Sequence, residues 1–105
     1  MSPVSVIARI PCQPGRRDEL VAALADYFPQ VESEDGTLVY AISTDNGDDD
    51  LVWVYELYAG DDALQAHSTS DAFQALAGTL GGLLSGPPEL HFCRPVRAKG
   101  HVVEG

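Results

Sequence analysis

Apolar and β-branched residues dominate Val4 to Ile10 with broad alternation, which predicts a strand, and Pro11, lacking an N–H for a sheet ladder, ends it. Pro14-Gly15 marks a turn. Leu20, Ala23, Leu24, Tyr27 and Phe28 then recur at the spacing of one helical face, with Asp18 and Glu19 well placed in the first turn. Pro29 is expected to end or kink that helix. Two further strand-like runs, Thr37 to Thr44 and Leu51 to Ala59, flank Asp45-Asn46-Gly47-Asp48-Asp49-Asp50, whose Asn-Gly pair accepts positive φ and suits a hairpin. Gly60-Asp61-Asp62 opens a short helix to about His67. Ser70, a good N-cap, opens another that carries Phe73, Leu76, Ala77, Leu80 and Leu84 on one face. Gly78, Gly81 and Gly82 weaken that helix by up to about 1 kcal/mol each relative to alanine. Gly86-Pro87-Pro88 breaks the chain before a last strand, Glu89 to Val96, and Arg97 to Gly105 read as a polar tail.

The order is βαββαβ with a split second helix, which predicts an α+β ferredoxin-like sandwich: an antiparallel sheet with helices on one face. Such a sheet normally turns polar residues to the other side. Here Leu51-Val52-Trp53-Val54-Tyr55-Glu56-Leu57-Tyr58 is apolar at nearly every position, and Leu38 to Ile42 is similar. An exposed apolar face of several hundred Å² is unusual on a monomer, so a homodimer packed sheet to sheet is expected.

The 105 residues suit one domain, 1–105, with its core at about 4–97 and a tail from 98. No run approaches the ~18 apolar residues of a membrane helix, and Met1-Ser2-Pro3-Val4 lacks the pattern of a signal peptide, so no membrane association and a cytoplasmic setting are expected. Sixteen acidic against six basic residues leave a net charge of −10, which repels a polyanion and excludes nucleic acid as a partner. Cys12 and Cys93 form no CxxC pair and are expected as reduced thiols, with proximity in space left open. The acidic hairpin tip does not match a calcium loop and is read as a solvated turn. His67, His91 and His101 are too dispersed for a metal signature, and neither a strand-linked GxGxxG nor a P-loop occurs.

The tract Val54-Tyr55-Glu56-Leu57-Tyr58, Asp61-Asp62-Ala63-Leu64, His67, Ser70 and Phe73 resembles the antibiotic biosynthesis monooxygenase domain. Val6 to Ile10 with Pro14-Gly15, and Glu34-Asp35-Gly36-Thr37, extend the resemblance over roughly residues 4 to 97. It implies a dimeric α+β barrel with a small-molecule pocket between sheet and helices. It further implies oxidation of a small, apolar phenol or quinol by O₂ without flavin, haem or metal. The haem-degrading branch of this superfamily uses an Asn, a Trp and a His where this chain has Ala8, His67 and Ala77, which argues against haem degradation. Leu83-Leu84-Ser85-Gly86-Pro87 resembles instead a quorum-sensing sugar-phosphate isomerase, a non-oxidative alternative. A non-catalytic ligand-binding dimer is the third class.

His67 lies three residues after Leu64, on the inward side of the short helix. A histidine titrates near neutral pH and can take a phenolic proton, although a core histidine tied to a carboxylate has the same sequence signature. Glu56, in an otherwise apolar strand, needs a partner: His67, a structural hydrogen bond, or a dimer-spanning salt bridge to Arg9 or Arg94. The candidate catalytic pair is therefore His67 and Glu56, with Trp53, Tyr55, Tyr58 and Phe73 as candidate substrate-binding aromatics. Alternation sets Trp53 and Tyr55 on one face of the strand and Glu56 and Tyr58 on the other.

Overall fold

The computed structural model describes residues 2–100; His101 and the rest of the predicted tail lie outside them. The elements run β1 (Val4–Pro11), α1 (Arg17–Asp26), α2 (Phe28–Ser33), β2 (Thr37–Thr44), β3 (Leu51–Tyr58), α3 (Asp61–Ser68), α4 (Asp71–Leu80) and β4 (Glu89–Cys93). The strands form one antiparallel sheet in the order β2-β3-β1-β4, the ferredoxin-like arrangement. β1 pairs with β3 from Val4–Tyr58 to Pro11–Leu51. On its other edge it pairs with β4 from Ser5–Cys93 to Arg9–Glu89.

Strand alternation turns Ala8 and Ile10 of β1 and Val52 and Val54 of β3 into the core, where Leu20, Leu24, Tyr27, Val31, Leu76 and Leu80 of the helices cover them. Each such aliphatic side chain contributes about 1.5–3 kcal/mol of apolar burial, and this core fixes α1 and α4 on one face. The opposite face holds Ile7 and Tyr55, 38% and 41% exposed, with Arg9 and Trp53 half-buried beside them.

The helix breaks at Tyr27, just ahead of Pro29, and Pro29 stands in the first turn of a second helix, where its missing N–H has no intrahelical partner to lose. Tyr27 joins α1 to α2 and belongs to the core. α4 ends at Leu80 instead of reaching Leu84. Gly81 and Gly82 give way to a turn in which Leu83 and Leu84 donate to the Leu80 carbonyl, 2.8 and 3.1 Å. The Leu83 carbonyl then accepts from Gln13, 2.9 Å, and Leu84 bridges to Cys12, so this turn is sewn to the end of β1. β4 stops at Cys93, three residues short of Val96, which is 91% exposed.

Gly36, just before β2, permits a close approach: a Cβ there would lie 2.5 Å from that of Ala63 in α3. The acidic hairpin tip is an organised turn. Asp45 accepts from the Gly47 and Asp48 amides and from Trp53 Nε1, 2.8–2.9 Å, while Arg17 donates to the Asp45 and Asp48 carbonyls. The Trp53 hydrogen bond, followed by that of Gly47, holds the Asp45 carboxyl below the ordinary range. Both cysteines are free, Cys12 buried and Cys93 exposed. Cys93 pairs with Ser5, seven residues before Cys12 on β1, which sets the thiols about 23 Å apart along the strand. No helix among the described residues is long and apolar enough to cross a membrane.

Candidate functional site

Between the helices and the sheet lies a cavity of about 250 Å³, floored by Val6, Ala8, Ile10 and Val54 and roofed by Leu24, Leu64, Leu76 and Leu80. Polarity is confined to one end, where Glu56, Tyr40, His67 and Ser68 line it. The edge strand β4 closes the side incompletely: Leu90 and Phe92 line the cavity and remain 48% and 62% exposed.

His67 sits in the last turn of α3, its side chain 2% exposed. The rings of Tyr58 and Phe73 stand 5.2 Å from it, with Tyr40 and Tyr27 at 5.8 and 5.9 Å. Its position is tied from both sides in sequence. The Ser70 hydroxyl donates to the His67 carbonyl, 2.9 Å, and accepts from the Phe73 amide as the N-cap of α4, 3.1 Å.

His67 Nδ1 lies 2.8 Å from Glu34 Oε1. A carboxylate oxygen only accepts, so Nδ1 carries the proton and Nε2 has the free lone pair. Glu34 is itself held: the same oxygen accepts from Thr37 Oγ1 at 2.8 Å, and its other oxygen from Gln30 Nε2 at 2.8 Å. Burial acts against its charge, but the hydrogen bonds from His67, Gln30 and Thr37 outweigh that and keep the carboxyl below the ordinary range. A locally anchored carboxylate thus sets the tautomer and orientation of the imidazole, as a second carboxylate does for many working histidines.

Nε2 points to the other acid, 4.0 Å from Glu56 Oε1, and among the described residues no hydrogen bond ends on it. Glu56 accepts from the Tyr58 hydroxyl. Burial pushes its carboxyl up, and the Tyr58 bond and His67 offset this only in part, which favours the neutral acid more than usual. Burial and the neighbouring carboxylates also raise the tyrosine hydroxyls: Tyr27 to about 12, with Tyr40 and Tyr58 raised as well. The three phenols therefore stay protonated and act as hydrogen-bond groups.

Of the residues singled out from sequence, His67, Glu56 and Phe73 line the cavity. Tyr58 is fully buried behind Glu56 and supports it. Trp53 and Tyr55 do not line it, since they project from the opposite side of β3. Among the described residues of one chain Glu56 is bridged to neither arginine: Arg9 pairs across from Trp53 and shares that opposite face. Sequence reading missed Glu34 as the partner of His67, along with Tyr27 and Tyr40 in the histidine's cage. Its one available signal was local, the Gln30-Glu34-Thr37 spacing at the end of a helix, which leaves a carboxylate fixed by its own neighbours. Among the described residues no arginine or lysine lines the cavity, so these offer a phosphorylated substrate no cation there.

A four-stranded antiparallel sheet carrying its helices on one face, with an apolar cavity under them, defines an α+β ferredoxin-like protein. The family model for antibiotic biosynthesis monooxygenases matches residues 3–78, and the chain belongs to that family. A protein from Caulobacter crescentus CB15, provisionally placed in the same family, is 29% identical with a TM-score of 0.87 over 91% of this chain and 92% of its own. Rv0793 from Mycobacterium tuberculosis is 28% identical, with a TM-score of 0.84 over 92% and 98%. PA3566 from Pseudomonas aeruginosa, 24% identical, shares the fold with a TM-score of 0.83 over 92% and 97%. Among curated proteins, none matches the chain.

Proposed function

We propose that the protein is a cofactor-independent monooxygenase that oxidises a small, largely apolar phenol, quinol or anthrone with O₂. The observation that carries this reading is His67: Nδ1 is committed to Glu34, and Nε2 is left free at the polar end of an otherwise apolar cavity. A substrate hydroxyl placed there gives its proton to Nε2, and the imidazolium that results donates a hydrogen bond back to the oxyanion. The electron-rich anion passes one electron to O₂, and the two radicals combine at carbon as a hydroperoxide. Loss of water then leaves a carbonyl, so one oxygen atom of O₂ enters the product and the other leaves in water. The protein's share is a positioned base, an oxyanion donor and a cavity whose apolar walls exclude water.

A second copy covers the opposite face of the sheet in this reading. Ile7 and Tyr55, with Trp53 between β1 and β2 partners, supply the apolar surface that such an interface buries. Oxygen uptake with a panel of hydroquinones and anthrones tests the reaction. The wild type is expected to consume O₂ with at least one of them, and His67→Ala to lower that rate by about 100-fold or more. No uptake by the wild type with any of them would overturn the assignment.

A further inference from the structure

A second, more open space of about 470 Å³ lies between α4 and the segment 84–88. Its walls are almost all apolar or backbone, with Ala77, Gly81, Leu84, Gly86 and Pro87 contributing and Ser85 the one hydroxyl. It shares Phe73, Leu76, Leu80 and Pro88 with the cavity that holds His67. From Phe73 to Leu80 this common wall runs about 10 Å along the helix axis, the length of an extended chain of roughly eight carbons. The polar groups of the inner cavity, by contrast, gather where His67 Nε2 and Glu56 Oε1 face each other at 4.0 Å.

We infer that the two spaces form one bent site, in which the α4 groove is a subsite for an aliphatic tail carried by the substrate's aromatic head. The inference rests on the head-group assignment made above and extends it to a substrate class, tailed phenols and quinols. Three features of the groove favour a tail over a second polar ligand or a protein. It adjoins the cavity along shared side chains, it offers almost no hydrogen-bonding side chain, and its glycines leave width without a side chain to displace. A Cβ added at Gly86 meets nothing within 4 Å, so the groove is open at that point.

The same feature supplies a variant that fills the groove while leaving the head pocket alone. Gly86 does not adopt a positive φ, and Gly86→Leu places its side chain in open space. Ala77→Leu, on the exposed side of α4, is an independent way to narrow the groove in a residue that suits a helix. Calorimetric titration with hydroquinone, butylhydroquinone and octylhydroquinone below their micellar concentrations reads the subsite without requiring turnover. Affinity is expected to rise about twofold per methylene in this half-open groove, so that the octyl compound binds roughly a hundredfold tighter than hydroquinone. Gly86→Leu and Ala77→Leu should each remove at least tenfold of that gain and leave hydroquinone binding unchanged. Affinity independent of chain length, or a gain that survives both substitutions, would overturn the subsite. If the groove-dependent gain is present but His67→Ala alters neither head-group affinity nor oxygen uptake, the tail subsite stands and the assignment of His67 falls.

Discussion

On the helix side of β3, Val52, Val54 and Tyr58 are buried, and Glu56 and His67 each hold a partner in the same chain; on the other side, Trp53 and Tyr55 stay partly open to solvent. Tyr58 donates to Glu56, and His67 is held by Glu34, whereas the Tyr55 ring is 41% exposed and Trp53 only reaches the turn at Asp45. The two faces draw on the same apolar residues. What separates them is the polar residues they admit: acids and a histidine caged by aromatics under the helices, and an almost bare surface beneath. The helix side surrounds an apolar cavity, and the other side leaves Ile7 and Tyr55 uncovered.

The sharpest way to break this contrast is to charge the bare face. Tyr55→Arg should shift the sedimentation mass from that of a dimer to that of a single chain, weakening association by 100-fold or more, while hydroquinone still binds at the cavity. A wild type that sediments as a single chain would remove the partner from the account. Next in size is the packing that brings α3, and so His67, over the sheet. Gly36→Ala sets a methyl 2.5 Å from that of Ala63, and should cost about 1–3 kcal/mol in urea unfolding and loosen ligand binding with it.

The two acids flanking His67 should respond oppositely to pH, which sharpens the picture of the helix side. Glu34 lies below its ordinary value of 4.5 in the folded protein, so it adds stability above that pH and loses it as pH falls through the lower, folded value. Glu34→Gln should therefore cost about 1–2 kcal/mol at pH 7 and progressively less as pH falls through the folded value, and should shift the pH profile of turnover because the imidazole has lost its anchor. Glu56 is raised, so the unfolded chain loses its proton first and stability declines as pH climbs from 4.5 through the folded value. Glu56→Gln keeps an acceptor for Tyr58 and should lift the melting temperature by about 2–5 °C at pH 8, with no gain at pH 4.

Periodicity carried most of the fold. Alternation placed Glu56 and Tyr58 opposite Trp53 and Tyr55, and the three-residue step from Leu64 placed His67 inward, because both depend only on local geometry. Pro29 was legible as a break but not as a beginning, since the same missing N–H that forbids a helix interior is harmless in a first turn. Within one chain Arg9 does not reach Glu56, because β1 presents Val6 to Glu56 and turns Arg9 to the far side, which no composition count conveys. Glu34 was beyond sequence reasoning for a different reason. Its local donors are near in the chain, but His67 stands 33 positions away and meets it only once α3 crosses the start of β2.

The account rests on where a phenolic head group settles. Crystals grown with an anthrone or an alkylhydroquinone test that directly, and the predicted result is the hydroxyl within hydrogen-bond distance of His67 Nε2 and Glu56, with the ring under Phe73. Electron density for the ligand on the Tyr55 face of the sheet, or in the inner cavity with its hydroxyl turned away from His67, would contradict it.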